Sequence, residues 1–465
     1  MTNEIRQDTE TTNLNSPHSN IIELGMIVTD PNLYIIDKFE VNSRLDRTTL
    51  LSPSALNVHK KGISEIEAAA YSQYEFTLLI HEKMQQHHPG IYLGYNFLGF
   101  DYKMLQHGFY RNLLPSYSAQ QFRDGSASRV ADSMYLYNLA VRVGKGLERP
   151  DNYNPGKAAR LTELAAASGV NIEKAHSALG DAMMDLELGR KLKESEPEIY
   201  EILHTHSQKR HVDRLVRTNG PLIWMDMQWG GCNIRFVTFI AQNPDRATEL
   251  YVADLGNEPG KNFKSQGKVI DNSGKERKIH KIKTNAFPMI FPLDDPRITS
   301  LVGPDASNYE SQANLLQQDA EFENNILDTM LKIQNSYPQR ERLEERLYEG
   351  FPSNSDLTLM AQFHEVEPSR KRKVLGQISD ERYRKMGLRL IYNEWPELLT
   401  SQERLAFDKA VYSRLNTREE VPWMTIPSAL EEIEAKRASL SEKDGKLFDE
   451  YKAHLLRLKA LKLAA

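Results

Sequence analysis

The sequence predicts an α/β (α+β) multi-domain chain: a mixed sheet covered by helices, then a small β-rich region, then an all-helical region. Three observations predict it. Strand-like runs give way to strand–helix alternation over the first 200 residues, short β-branched runs follow at 221–255, and nearly everything after about 308 has helical spacing. The 465 residues, at roughly 150 per domain, correspond to about three domains. The boundaries expected are 1–198, 199–350 and 351–465.

IIELGMIVTD (21–30) and YIIDKFEVNSR (34–44) are apolar and β-branched, and Asp30, Pro31 and Asn32 stand between them, so they read as an antiparallel hairpin. YEFTLLIHEKMQQH (74–87) has helical spacing, IYLGYN (91–96) reads as a short buried strand, and FDYKMLQHGFYRNLL (100–114) as a one-sided helix. Two further helices are expected over 160–169 and 177–194. PLIWMDMQ, CNIRFVTFIA, ELYVADL and NAFPMIFPL read as strands of a small barrel or sandwich with long loops. In FPSNSDLTLM (351–360), Ser353 to Ser355 and then Asp356 mark a helix start.

Composition narrows the function classes. The net charge is −5, from 59 basic and 64 acidic residues. No run approaches the roughly 18 apolar residues of a membrane span, and MTNEIRQDTE lacks the basic head and apolar core of a secretory leader. A cytoplasmic protein without a membrane partner is expected. The single cysteine, Cys232, excludes an intrachain disulfide and any multi-cysteine metal site, and reads as a buried structural thiol. HEKMQ (81–85) lacks the second histidine of a zinc-protease helix, and GNEPGKN (256–262) has the wrong spacing for a phosphate loop.

Asp8-Thr9-Glu10 would project two carboxylates from one face of a strand, which is costly unless cations neutralise them. LGYNFLGFD ends in Asp101 at a helix start, where an acid also suits the helix dipole. His176 and Asp181 would lie about 140° apart on one helix. They converge only if His176 sits in the loop before the helix, with Ser177 as its cap. Each piece alone is as well explained by a solvated turn or a cap. Together, in order and spacing, Asp8, Glu10, Asp101, His176 and Asp181 resemble the signature of the DEDDh superfamily of 3′→5′ exonucleases. DTETT, PSALNVH, LGYNFLGFDYKMLQHGFYRNL, SRVADSM, AHSALGDAMMDL, TNAFPMIFP and LYEGFPSNSD are similar to the bacterial exodeoxyribonuclease I family, from about residue 5 into the helical region.

The resemblance implies an RNase H-like exonuclease domain, an SH3-like barrel and a helical domain, together guiding one strand of DNA to the nuclease site. It implies two Mg²⁺ ions, with Mn²⁺ as a substitute, held by Asp8, Glu10, Asp101 and Asp181. His176 is then the general base toward the attacking water, and imidazole titrates near neutrality. It implies release of 5′-mononucleotides from single-stranded DNA in repair or recombination, by a monomer. RNA trimming, and a catalytically weak DNA-binding scaffold, are the alternatives. Substrate contacts are expected at Thr9, Thr11, Asn96, Arg129, Lys209, Arg214, Trp224 and Lys281.

The charge is unevenly spread. Residues 1–200 carry −5, 201–283 carry +5, 284–350 carry −7 and 351–465 carry +2. The positive stretch holds Lys209, Arg210, Arg214, Arg217, Lys281, Lys283 and a lysine-rich run over 261–278, interleaved with Trp224, Trp229 and Phe236. That is the pattern of a single-strand grip, and equally of a solvated loop beside core aromatics. Arg370-Lys371-Arg372-Lys373 could dock the acidic tail of a single-stranded-DNA-binding protein, a partner the resemblance suggests, or form a helix face. Four departures from the family stand out. Asn3-Glu4-Ile5-Arg6-Gln7 is poor material for a central buried strand. Asn13 and Ser177 stand where Gly and Asp are usual, and His59-Lys60-Lys61 adds positive charge near where the 3′ end would enter.

Overall fold

The computed structural model describes residues 2–119, 128–172, 176–218, 220–256, 279–303 and 306–460, without the side chain of Trp229. The lysine run at 261, 264, 268, 275 and 278, with Arg277, lies outside the described residues.

The first sheet has the order β3-β2-β1-β4-β5. β1 (Asn3–Thr11), β2 (Ile21–Thr29) and β3 (Ile35–Asn42) are antiparallel, while β4 (Gly90–Leu93) and β5 (Arg129–Val130) run parallel to β1. The expected mixed sheet and the 21–44 hairpin are both present. β2 is buried along its whole length, and β3, the edge strand, alternates between exposed and half-buried positions as far as Glu40. The helices that cover the sheet are α1 (Pro53–His59), α2 (Ile63–Glu67), α3 (Gln73–Gln86), α4 (Asp101–Arg111), α5 (Ser133–Val143), α6 (Leu161–Ala167) and α7 (Ala178–Ser195). Ser72 and Glu75 close a capping box on α3.

The polar start of β1 is nevertheless the centre of this sheet. Glu4 and Arg6 are fully buried. They pair at 2.8 Å, Arg6 also reaches Asp185 at 3.3 Å, and Tyr200 bonds both. Mutual neutralisation, not apolar character, is what makes the strand buriable.

Short helices α8 (Pro197–Tyr200), α9 (Ile202–His206) and α10 (Lys209–Val216) lead into a second, wholly antiparallel sheet of order β10-β6-β7-β8-β9. Its strands are β6 (Leu222–Asp226), β7 (Asn233–Gln242), β8 (Glu249–Asp254), β9 (Ile279–Lys283) and β10 (Met289–Pro292). The expected barrel is not closed: among the described residues β9 and β10 do not pair. α10 packs on β10 and His206 hydrogen-bonds Ile290 O at 2.9 Å, so helices cover the strand that closure would have paired. α11 (Ala306–Gln317) and α12 (Ala320–Ser336) pack on β7, with Phe322 and Ile326 buried against Tyr251 and Ile279.

The remainder is helical: α13 (Asn354–Glu365), α14 (Pro368–Leu375), α15 (Glu381–Glu394), α16 (Ser401–Asn416), α17 (Ile426–Arg437) and α18 (Glu442–Ala460). Ser353 caps α13 by accepting from Asp356 N, as expected. These helices share cores with the first sheet's helices. Leu51, Leu56, Ile63 and Ile66 pack with Ile426, Ile433, Phe448 and Tyr451, and Tyr74, Tyr110 and Leu113 pack with Met360, Phe363 and Tyr383. At this junction Glu344 receives Arg389 at 2.6 Å and Arg414 at 3.1 Å. Burial opposes its ionisation, but the two guanidiniums hold its carboxyl down at about 2. No described helix is long and apolar enough to cross a membrane.

Candidate active site

Alternation along β1 turns Asp8 and Glu10 to the face covered by α7, and Asp181 stands in the first turn of that helix. Asp8, Glu10 and Asp181 each offer a carboxylate oxygen, and these oxygens lie within 4.8 Å of one another. The close approach depends on Gly25. A Cβ there would stand 2.3 Å from Leu179 N and 2.4 Å from Ala178 C. Ser177 caps α7 by accepting from Gly180 N at 3.2 Å, as expected of the Asp-to-Ser departure. His176 lies in the preceding loop at φ +68° and is exposed, and its backbone N donates to Asp181 Oδ1 at 3.3 Å. The convergence that the helical wheel forbids is thus reached through the loop.

Asp101 opens α4 and is buried beside Asp8, outside the tight trio. Thr9, on the other face of β1, donates to Asp101 Oδ1 at 2.5 Å. Asp132 accepts from Asn96 N and Leu98 N at 3.0 Å each, and so holds the turn that presents Asp101.

Burial and mutual repulsion raise all four carboxyls. Burial is the largest cause in each case. Asp8, facing Asp101, Asp181 and Glu10, is raised well above the usual range; Glu10 rises to about 8, Asp101 to about 7, and Asp181 also rises. Lys61 eases Glu10 only in part. Carboxylates crowded this way are costly unless a cation lies among them, and carboxylate oxygens are what hard divalent ions prefer. The residues present fit a divalent metal.

One neighbour, Glu23, has no signal in the sequence motifs, and a second, Lys61, is expected only as nearby positive charge. Glu23 stands directly across from Glu10 in the β1–β2 register and accepts from Ala178 N at 2.8 Å, pinning the start of α7. Lys61 pairs with Glu23. The expected positive charge of 59–61 is therefore at the site's edge, engaged with a carboxylate. Counting back from the turn would place Ile22 opposite Glu10; a register shift between Glu10 and Thr11 brings Glu23 there instead, which is why the sequence does not show it. Asn13, where Gly is usual, is not at positive φ, so the turn does not require a glycine there; its side chain accepts from Leu14 N at 2.7 Å.

The expected substrate contacts divide. Asn96 is exposed at φ +60° on the Asp101 turn, and Thr11 lies at the end of β1, bonded to Asn13 O. Lys209 and Arg214 are exposed on α10 and line a groove with Arg210, Arg217 and Gln242. Lys281 is exposed on β9, 3.4 Å from Glu249. Arg129 does not join the site. It pairs with Ile91 at the end of the sheet where β1 begins, and its guanidinium is spent on His204 O and Thr2. Trp224 is not a stacking platform: it is buried in the second sheet's core against His280. In the 370–373 run, Lys371 is buried over Trp395 and donates to Phe363 O, and Arg372 holds Glu403. Only Arg370 and Lys373 remain exposed. Cys232 is buried and its thiol is pushed up to about 11, an inert core residue.

Two family models match this chain, in order. One, described as Exonuclease, covers residues 5–188, and the other, described as Exonuclease I C-terminal domain, covers 341–458. The chain thus carries an exonuclease domain and an exonuclease I C-terminal domain. Among curated relatives, exodeoxyribonuclease I of Haemophilus influenzae is 23% identical over 407 residues, covering 81% of this chain and 77% of its own. That of Escherichia coli K12 is 23% identical over 327 residues, 66% and 68% of the two chains. Among solved structures, exonuclease I of Methylocaldum szegediense aligns over 99% of this chain and 100% of its own, at TM-score 0.86 and 22% identity. E. coli exonuclease I in complex with a dA16 oligonucleotide aligns over 98% and 100%, at TM-score 0.86 and 17% identity. The exonuclease I fold therefore continues through the described residues of 189–340, a range that neither family model covers.

Proposed function

We propose that this chain is a metal-dependent 3′→5′ exonuclease that degrades single-stranded DNA to 5′-mononucleotides in DNA repair or recombination. The observation that carries the reading is the convergence of Asp8, Glu10 and Asp181, with Asp101 behind them and His176 at the rim, on a chain matched by an exonuclease model and by the exonuclease I C-terminal domain model. The relatives named exodeoxyribonuclease I, and the E. coli neighbour bound to an oligonucleotide, support single-stranded DNA as substrate.

Asp8, Glu10, Asp181 and Asp101 would hold Mg²⁺, two ions by the family pattern, with Mn²⁺ as a substitute. Bound there, such ions supply charge neutralisation for the attacking and leaving oxygens of the phosphodiester. His176, exposed at the rim, takes the proton of the attacking water. Asp181 Oδ1 accepts from the His176 backbone N, so the base and a metal carboxylate are seated by one contact. Lys61, beside Glu23 and Glu10, offers a cation at this edge to a phosphate at the 3′ end. The exposed cations of α10 would track the backbone farther out. Arg370 and Lys373 are what the 370–373 run retains for an acidic partner tail. The three domains are set at 1–198, 199–350 and 351–465.

The test offers 3′-labelled single-stranded DNA, the matching RNA and a blunt duplex, with Mg²⁺ or EDTA. The expected result is mononucleotide release from single-stranded DNA alone, lost with EDTA and in Asp181→Ala. Binding without cleavage refutes the reading, and equal cleavage of RNA refutes the substrate class.

A further inference from the structure

A second row of charges lies directly beneath the carboxylates, and the proposed reaction does not use it. On β1, alternation puts Glu4, Arg6, Asp8 and Glu10 on one face. On α7, Asp181, Asp185 and Gly189 follow at four-residue intervals and line the face against β1. The two elements therefore meet in steps. The outer step is Asp8 and Glu10 with Asp181. One step deeper, Arg6 Nε stands 3.3 Å from Asp185 Oδ2.

The guanidinium is ion-paired on two sides and hydrogen-bonded on the third at that depth. Its second nitrogen is 2.8 Å from Glu4 Oε2, and its third donates to Tyr200 OH at 2.8 Å. Tyr200 OH in turn donates to Glu4 Oε2 at 2.6 Å, and His204 Nε2 lies 3.2 Å from Glu4 Oε1. Gly189 makes the room: a Cβ there would stand 2.9 Å from Arg6 and 3.0 Å from Tyr137 OH. Arg6, Glu4 and Asp185 are all buried.

We propose that Arg6 is a positioning residue for the metal site: paired with Asp185, it fixes the rotation and rise of α7 on β1 and so places Asp181 beside Asp8 and Glu10. The inference rests on the metal-site reading above. The physical reason is the contrast between contacts. Apolar packing leaves a helix small freedoms of slide and roll, whereas a buried planar guanidinium held between two carboxylates and one hydroxyl narrows the seating. Asp185 follows Asp181 by one turn and Arg6 precedes Asp8 by one alternation, so what seats the inner step also registers the outer one.

Charge and positioning predict opposite signs. Removing a cation near an acidic site should tighten divalent-ion binding if charge alone matters, and weaken it if Arg6 sets the geometry. The experiment measures Mn²⁺ binding to the full chain, without DNA, by the paramagnetic resonance of free Mn²⁺. It compares wild type, Arg6→Met and Arg6→Lys, with circular dichroism as the check on folding. The expected result is affinity lowered on the order of 10-fold or more in Arg6→Met, with a smaller loss in Arg6→Lys, which keeps the charge and loses the fork. Folded Arg6→Met that binds Mn²⁺ as well as wild type, or better, overturns the proposal. If Arg6→Met does not fold, wild-type affinity in Arg6→Lys overturns it. Wild type that binds no Mn²⁺ overturns the metal-site reading itself, which is a separate result.

Discussion

Substituting Gly25 with alanine should slow the reaction without altering one side chain of the proposed site. The new Cβ would meet backbone atoms at the start of α7: Leu179 N at 2.3 Å, Ala178 C at 2.4 Å and Leu179 Cα at 2.5 Å. Unbonded carbon-sized atoms prefer about 3.5 Å, so the first turn of α7 must withdraw by about 1 Å. No flexible side chain is there to absorb the shift. Asp181 is two residues beyond Leu179, and His176 two before Ala178, so both move with the backbone. The Ala178 N–Glu23 bond of 2.8 Å is strained by the same displacement. A misplacement near 1 Å is worth about 10²-fold in rate, and overpacking of this kind costs about 1–3 kcal/mol in stability. The assay is kcat for mononucleotide release at saturating Mg²⁺, alongside thermal unfolding. A fall of about 10²-fold in kcat with a Tm loss of only a few degrees is expected. Wild-type kcat and Tm in Gly25→Ala would refute the argument that α7 is seated against β2 through this contact.

Other outcomes follow from the same geometry. His176→Ala should lower kcat by about 10²–10⁴-fold while leaving Mn²⁺ binding, measured by calorimetry, unchanged. The carboxyl of Glu10 is raised from 4.5 to about 8, so its contribution to metal-free stability is complete below the lower value and is lost as pH rises through the upper. Saturating Mn²⁺ should therefore raise Tm more at about pH 8.5 than at about pH 5.5; an equal rise at both counts against the crowding. Glu344 is held at about 2, so its stabilisation is present above the ordinary carboxylate range and is lost as pH falls toward that value. Glu344→Gln, which strands Arg389 and Arg414, should cost about 3–5 kcal/mol in urea unfolding at neutral pH. Replacing Lys209, Arg210 and Arg214 by Gln should flatten the salt dependence of single-stranded DNA binding by a slope of about 2, and an unchanged slope removes α10 from the binding path.

The hairpin of β2 and β3 is legible in the sequence because its strands are β-branched and its turn carries Asp30, Pro31 and Asn32. The five signature residues are legible because motif spacing encodes strand alternation and a helix start. The inner charge step is not. Arg6 reads as a solvent-facing residue until Asp185, Tyr200 and His204, 179 to 198 positions away, close around it and Glu4. Trp224 and Arg129 are illegible for a related reason. Composition marks aromatic and basic residues as available, but strand register decided that one enters a core and the other spends its donors on carbonyl and hydroxyl oxygens. Glu23 sat in plain view, but its role depends on a pairing partner rather than on its neighbours in sequence.

The last two helices meet the first domain in a way that bears on how freely such an enzyme can be taken apart. Tyr451 of α18 bonds Leu51 O, Glu450 receives Ser64 N at 2.9 Å, and Lys60 reaches Asp444 at 3.2 Å. Lys61, at the rim of the site, lies in the short segment between α1 and α2, and both of these helices complete their apolar cores with α17 and α18. The chemistry and its scaffold are therefore not modular. A nuclease domain cut free at its sequence boundary would carry all five signature residues and still lack half the walls of the core beneath its rim. In recombination of domains between relatives, the first and last thirds of the chain should be exchanged as a matched pair.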